Sequence, residues 1–211
     1  MARSTLVALF ALLLPTLAQA QCVGSGNCIL PPGGCAYVGV GTIDYGGSEK
    51  LNAVILEQSD ACHPFPPLGG STLAMFDAVL DLNLSSDGGS SYAMYAAPAS
   101  LTAHLTTTNQ IGNNETIQTE LLQMDVSGGS LPAGVLLRES PTLASPGQAQ
   151  STDLGGGQFQ VSSFFDVFTE LSLDSGQTWY PGSGSVHIDL LQATPLATQV
   201  ATWGSVKATY R

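Results

Sequence analysis

The sequence predicts an all-β protein, an antiparallel β-sandwich of roughly ten strands built from two tandem, pseudo-symmetric repeats. Composition is the first observation behind it. Glycine is abundant at 24 residues and charged residues are only 10%, while 44% of the chain is hydrophobic. Such a chain has enough apolar surface to fold and few strong helix formers beyond its first residues. The second observation is strict alternation of apolar and polar residues in several stretches. The third is self-similarity. Ser85, Asp87, Gly89 and Tyr92 correspond to Ser172, Asp174, Gly176 and Trp179 at one offset. Asp44, Gly47, Val54 and Leu56 correspond to Asp125, Gly128, Val135 and Leu137 at a slightly shorter one.

Residues 1–20 read as a signal peptide. Arg3 supplies a positive start, 6–14 an apolar run, and Ala18-Gln19-Ala20 a small-residue cleavage site that leaves Gln21 first. The run is too short to span a bilayer as a helix. Gln21 before Cys22 lacks the small side chain of a lipoprotein signal. The expected product is secreted or extracellular, without membrane insertion.

Residues 21–35 follow as a Gly/Pro-rich arm. It carries Cys22, Cys28 and Cys35, and the fourth cysteine is Cys62. An even count in an exported chain implies two disulfides, and three pairings are open. Because Cys62 is remote in sequence, at least one bridge is expected to tie the arm to the first repeat. The spacing is unlike the paired ligands of a zinc site.

Repeat one occupies 36–108. It contains strands near 38–43 and 53–56, a Pro-rich loop around Cys62-His63-Pro64, and a well-alternating strand over 73–84. The turn Asp87-Gly88-Gly89 reverses the chain. Strands near 92–95 and 100–107 close the unit. Residues 109–116 have turn chemistry and read as a connecting hairpin loop, so the two repeats are expected to share one sheet and one core. Two separate units of this size would each bury little surface. Repeat two, 117–192, follows the same order. It has strands at 122–126 and 135–137, a Pro/Ser/Gly loop over 140–157, and alternation from Phe159 to Leu173. The turn Asp174-Ser175-Gly176 leads into a last strand ending near Leu190. Residues 193–211 form a Thr/Ala-rich linker and a C-terminal tail.

The passage Ser172-Leu173-Asp174-Ser175-Gly176-Gln177-Thr178-Trp179 resembles the Asp-box hairpin (the BNR-like motif) of bacterial sialidases and other β-propellers, and Ser85 to Tyr92 is a looser copy. The resemblance implies a structural turn whose Asp accepts backbone N–H bonds over a packed aromatic ring. It does not imply sialidase chemistry. Those enzymes hold their substrate's carboxylate with three arginines, and this chain has only Arg138 and Arg211 beyond the leader. Stretches such as Glu139-Ser140-Pro141-Thr142 and 163–174 also resemble secreted bacterial proteins of uncharacterised function.

Charge and motifs narrow the function classes. Losing Arg3 with the leader takes the formal net charge from −11 to −12. That balance disfavours nucleic acid and anionic membrane as partners. There is no Gly-x-Ser-x-Gly elbow. His63, His104 and His187 have no histidine at metal-binding spacing. Asp166 and Glu170 share one strand face and could in principle form a carboxylate pair for glycoside hydrolysis, but a solvated sheet face is the better account of them. No catalytic residue is assigned. Calcium is the one cofactor considered, with Asp87, Asp174, Asp44 and Asp125 as oxygen donors at the repeated turns. Asn83 and Asn114 lie in N-glycosylation patterns.

The expected function is a non-catalytic extracellular or cell-surface protein with a structural or adhesion role. One alternative is a carbohydrate-binding module in which Tyr92, Tyr95, Trp179 and Tyr180 stack on sugar rings. Glycans or other cell-surface or matrix proteins are then the expected partners. The other alternative is a secreted hydrolase with an unrecognised site.

Overall fold

The computed structural model describes residues 22–29, 34–58 and 62–192. Residues 1–20, expected as a leader, and 193–211, expected as a linker and tail, lie outside them. Among the described residues every regular element is a β-strand, in the order β1 (Cys22–Ser25), β2 (Cys35–Asp44), β3 (Lys50–Gln58), β4 (Ser71–Ser85), β5 (Ala93–Ile111), β6 (Asn114–Ser127), β7 (Leu136–Glu139), β8 (Ser145–Gly155), β9 (Gln158–Ser172) and β10 (Tyr180–Gln192).

All the pairings are antiparallel. Consecutive strands from β2 to β6 are neighbours, and β9 joins β10. The sheet then closes, because β10 pairs with β2 from Ile188↔Gly39 to Gln192↔Cys35. Where the sequence suggested a sandwich, the protein is therefore a closed barrel of eight strands with two extra strands. The reason is that alternation specifies one buried face per strand and is silent on whether that face looks at a second sheet or across a barrel lumen.

The inward faces make one core. Leu51, Leu82, Leu105, Ile117, Leu137, Leu171 and Leu190 are fully buried. Two tyrosines put hydroxyls among them, and both are satisfied. Tyr37 donates to Ser163 Oγ at 2.8 Å, and Tyr45 shares a hydrogen with Thr169 Oγ1 at 2.7 Å. Buried hydroxyls need such partners. Burial and loss of solvent push both phenols well above the usual tyrosine range.

Three expected boundaries change, the first being the connecting loop: expected over 109–116, it is only residues 112–113, because β5 runs to Ile111 and β6 begins at Asn114. The predicted strands near 92–95 and 100–107 are one strand, β5, paired continuously with β4 from Ala93 to Thr106. The loop expected over 140–157 shrinks to a short excursion, because Ser145–Gly155 is β8. Its inward residues are Ser145, Gly147, Ala149 and Ser151, all buried and all small. Their size follows from crowding. A Cβ on Gly147 would lie 2.3 Å from the Phe164 carbonyl oxygen and 2.6 Å from Thr119 Oγ1. β7 and β8 both pair with β6 and β9, so they are one barrel position with a break at 140–144.

The cysteine arm closes one barrel end. Cys22 bonds Cys35 and Cys28 bonds Cys62, the latter tying the arm to the β3–β4 connection. Ile29 N–H donates to His63 O (3.1 Å), Phe65 N–H to Asn27 O (3.1 Å), and Thr107 Oγ1 to Pro66 O (2.6 Å). Ile29 beneath them is fully buried.

Closure has a steric condition. A Cβ on Gly39 would sit 2.6 Å from Ile188 Cγ2 and 2.8 Å from the His187 carbonyl oxygen. Gly39→Val is expected to cost about 3 kcal/mol or to prevent folding, against about 1–2 kcal/mol for Gly39→Ala, in urea unfolding followed by tryptophan fluorescence. At the opposite end, Ser85 and Ser172 are buried and each anchors a turn. Ser85→Ala and Ser172→Ala are each expected to cost about 1–2 kcal/mol, and the double variant the sum, in the same assay.

Candidate functional site

The turns that follow β2, β4, β6 and β9 gather at the barrel end opposite the disulfides. A cavity of about 110 Å³ there is lined by Glu49, Ser85, Tyr95, Pro132, Val135 and Leu173, among others, which come from all four turns. Two of the turns have the same hydrogen-bond pattern. Ser85 Oγ donates to Asp87 Oδ1 (2.7 Å) and accepts the Gly89 N–H (2.9 Å), while Asp87 Oδ1 accepts the Ser91 N–H (2.9 Å). Ser172, Asp174, Gly176 and Thr178 form the same three bonds at 2.9, 2.9 and 2.8 Å. Hydroxyl and backbone donation from Ser91 and Ser85 holds the Asp87 carboxyl far below the usual range, and Thr178 lowers Asp174. These carboxylates are occupied by their own turns.

The four calcium candidates are distributed over separate turns. Asp44 takes Lys50 Nζ at 2.8 Å and the Gly46 N–H at 2.8 Å, and Asp125 accepts the Gln123 amide. Among the described residues no group of three His, Cys, Asp or Glu side chains comes together as a metal site.

The stacking candidates differ in their surroundings. The Tyr92 hydroxyl lies beside Gly89, within van der Waals reach of its missing Cβ. Trp179 sits over Gly176, and the Arg138 guanidinium covers its ring at 3.9 Å. Tyr95 packs against the core. Tyr180 remains 44% exposed.

The break between β7 and β8 holds a carboxyl pushed well above its usual range. Arg138 Nε and Nη2 donate to Glu170 Oε2 at 3.0 and 2.7 Å, and Ser140 Oγ donates to Glu170 Oε1 at 3.2 Å. Adjacent Glu139 is only 7% exposed and accepts one bond, from Ser145 Oγ at 3.0 Å. Burial raises its pKa to about 7, the carboxyls of Glu120 and Glu170 adding to the effect. The sequence pairing of Asp166 with Glu170 dissolves, since Glu170 holds Arg138 and Asp166 holds His187 Nδ1 at 2.8 Å.

The barrel lumen offers no ligand site. Its void is about 30 Å³, bounded by apolar side chains such as Leu51, Leu80, Leu101, Met124 and Phe165. That is room for a water molecule or two at most. The Tyr37 and Thr169 hydroxyls that reach it are already bonded.

The outer wall has a larger recess, of about 280 Å³, lined by Gln148, Gln150, Ser162, Phe164, Asp189 and Leu191. It lies where β9 changes partner. Phe164 is the last β9 residue paired with β10, through Asp189. Val161 is already paired with Cys22 of β1. Between these points Ser162 and Ser163 have a strand partner on the β8 side alone, Gln150 and Ala149. His187 stands beside the recess between Asp166 and Asp189 Oδ1 (3.4 Å), its ring 5.2 Å from that of Phe164. The hydrogen bond to Asp166 raises its pKa above the usual histidine value. None of the recess residues was singled out from the sequence. Alternation of Gln148 and Gln150 with small residues was the available signal.

No protein-family model matches the chain, and neither a curated protein nor a solved structure matches it.

The Glu139 environment has a definite pH signature. Its folded pKa lies above the usual 4.5, so ionisation opposes folding. The penalty is absent below about pH 4.5, grows as pH rises toward 7 and is complete above it. Glu139→Gln is expected to stabilise the protein by about 2 kcal/mol at pH 8 and to be nearly neutral at pH 4, in urea unfolding at both values.

Proposed function

We propose that this chain is a non-catalytic secreted or cell-surface barrel with a structural or adhesion role, and that it works through its outer wall. The observation that carries this reading is the filled lumen: the space a barrel of this size can offer a ligand is taken by side chains. The two disulfides fit an oxidising compartment. The leader-like residues 1–20 point the same way and lie outside the described residues. We further infer that the barrel consists of two tandem four-strand units, β2–β5 and β6–β10, with β7 and β8 counted as one. The matched hydrogen bonds of the Ser85 and Ser172 turns support this.

A hydrolase is the second reading, and one observation favours it: Glu139 exchanges its proton near neutrality. Fractionating the full chain from a secreting culture, and assaying it on chromogenic glycosides, esters and phosphates, separates the two. Recovery with the cell-surface or matrix fraction and no turnover is the expected result. Turnover that Glu139→Gln abolishes would overturn the non-catalytic reading.

A further inference from the structure

The recess at the β9 fork has the features of a built site. Gln148 and Gln150 extend from β8, Ser162 and Phe164 from β9, and Asp189 from β10, so three strands converge on it. Within the described residues the Gln148, Gln150 and Ser162 side chains make no hydrogen bond, which leaves two amides and a hydroxyl free to serve a ligand. The Phe164 ring supplies an apolar surface beside them. The volume is close to the lower bound of ligand pockets, about 300 Å³. The site is also braced. Cys22 pairs with Val161, and Cys35 pairs with Gln192 at the end of β10. Their disulfide therefore joins β1, which takes over on β9, to β2, which is paired with β10, and so links the neighbours of the two strands that part at the fork. Pre-set geometry of this kind lowers the ordering cost of binding.

We propose that this recess binds one ring of a neutral saccharide. Amides both donate and accept, the serine hydroxyl does the same, and the Asp189 carboxylate accepts, which suits a ring of adjacent hydroxyls. Aromatic carbon beside such groups suits a sugar's C–H face. An anionic ligand is disfavoured, because among the described residues no lysine or arginine lines the recess and Asp189 does. A peptide strand is disfavoured because the free edge spans just Ser162 and Ser163, too short for strand addition. The assignment rests on the outer-wall reading above and supplies its ligand class.

The test is isothermal titration of the full secreted chain with neutral hexoses, N-acetylhexosamines and their α- and β-linked disaccharides. One class is expected to bind. The Gln148→Ala/Gln150→Ala double variant is expected to lower its affinity roughly tenfold or more, with an unchanged melting midpoint, since each lost amide bond is worth about 1 kcal/mol. Tyr180→Ala, away from the fork, is expected to leave affinity intact. No heat from any sugar at tens of millimolar, or binding indifferent to the glutamine pair, overturns the proposal. A preference for spermidine or for a sialic acid over every neutral sugar overturns it as well. Saccharide binding accompanied by Glu139-dependent turnover upholds the fork and overturns the non-catalytic reading. Silence in both assays overturns the fork alone.

Discussion

The five pairs from Ile188↔Gly39 to Gln192↔Cys35 convert an open meander into a continuous wall. Without them β2 and β10 would be bare edges of a long twisted sheet, with unpaired N–H and C=O groups along both. With them, each strand's inward face meets the others across one lumen. The composition of that lumen follows. Strands that approach closely carry Gly39, Ala97, Ala99, Ala103, Gly147 and Ala149, and leucines fill the space between. The lumen is packed because large and small side chains are matched across it.

A filled barrel moves chemistry to the places where the wall is irregular. Two irregularities adjoin β9. On one side the β7/β8 position breaks, and Ser145 Oγ takes the Phe168 N–H that the break would otherwise leave unpaired. The same hydroxyl meets Glu139, so the buried carboxyl and the broken ladder are repaired by one serine. On the other side β9 passes from β10 to β1, opening the recess at Ser162. Regular wall between these points offers a pleated surface with paired backbone and is a poor place for a ligand.

Much of this was legible in the chain, and the illegible parts have physical causes. Alternation over 73–84 placed β4 because Phe76, Ala78, Leu80 and Leu82 differ sharply in polarity from their neighbours. β8 was invisible to the same criterion, because its buried residues are small rather than apolar and size periodicity is not hydropathy periodicity. Closure was invisible because it depends on a pairing between the two ends of the described chain. The turns were read correctly as turns, since Ser, Asp and Gly at that spacing satisfy their own backbone. The recess escaped notice because a site made by two strands parting leaves no local motif: Gln148, Ser162 and Asp189 are unremarkable until the fork brings them together.

The arm beginning at Cys22 shows why covalent bonds belong at this end. β1 is four residues long, and a strand of that length pairs weakly by itself. Yet it must take over from β10 on β9 for the fork to exist. Bonding Cys22 to Cys35 anchors β1 to the first residue of β2, and bonding Cys28 to Cys62 seats the following turn on the β3–β4 connection. Asn27, between these anchors, donates to Glu115 at 2.9 Å and accepts from Ser151, reaching β6 and β8. The arm is thus held to β2, β6, β8, β9 and the β3–β4 connection. A short strand fixed from so many directions is part of the wall, and the gap beside Ser162 is set by where that strand begins on β9.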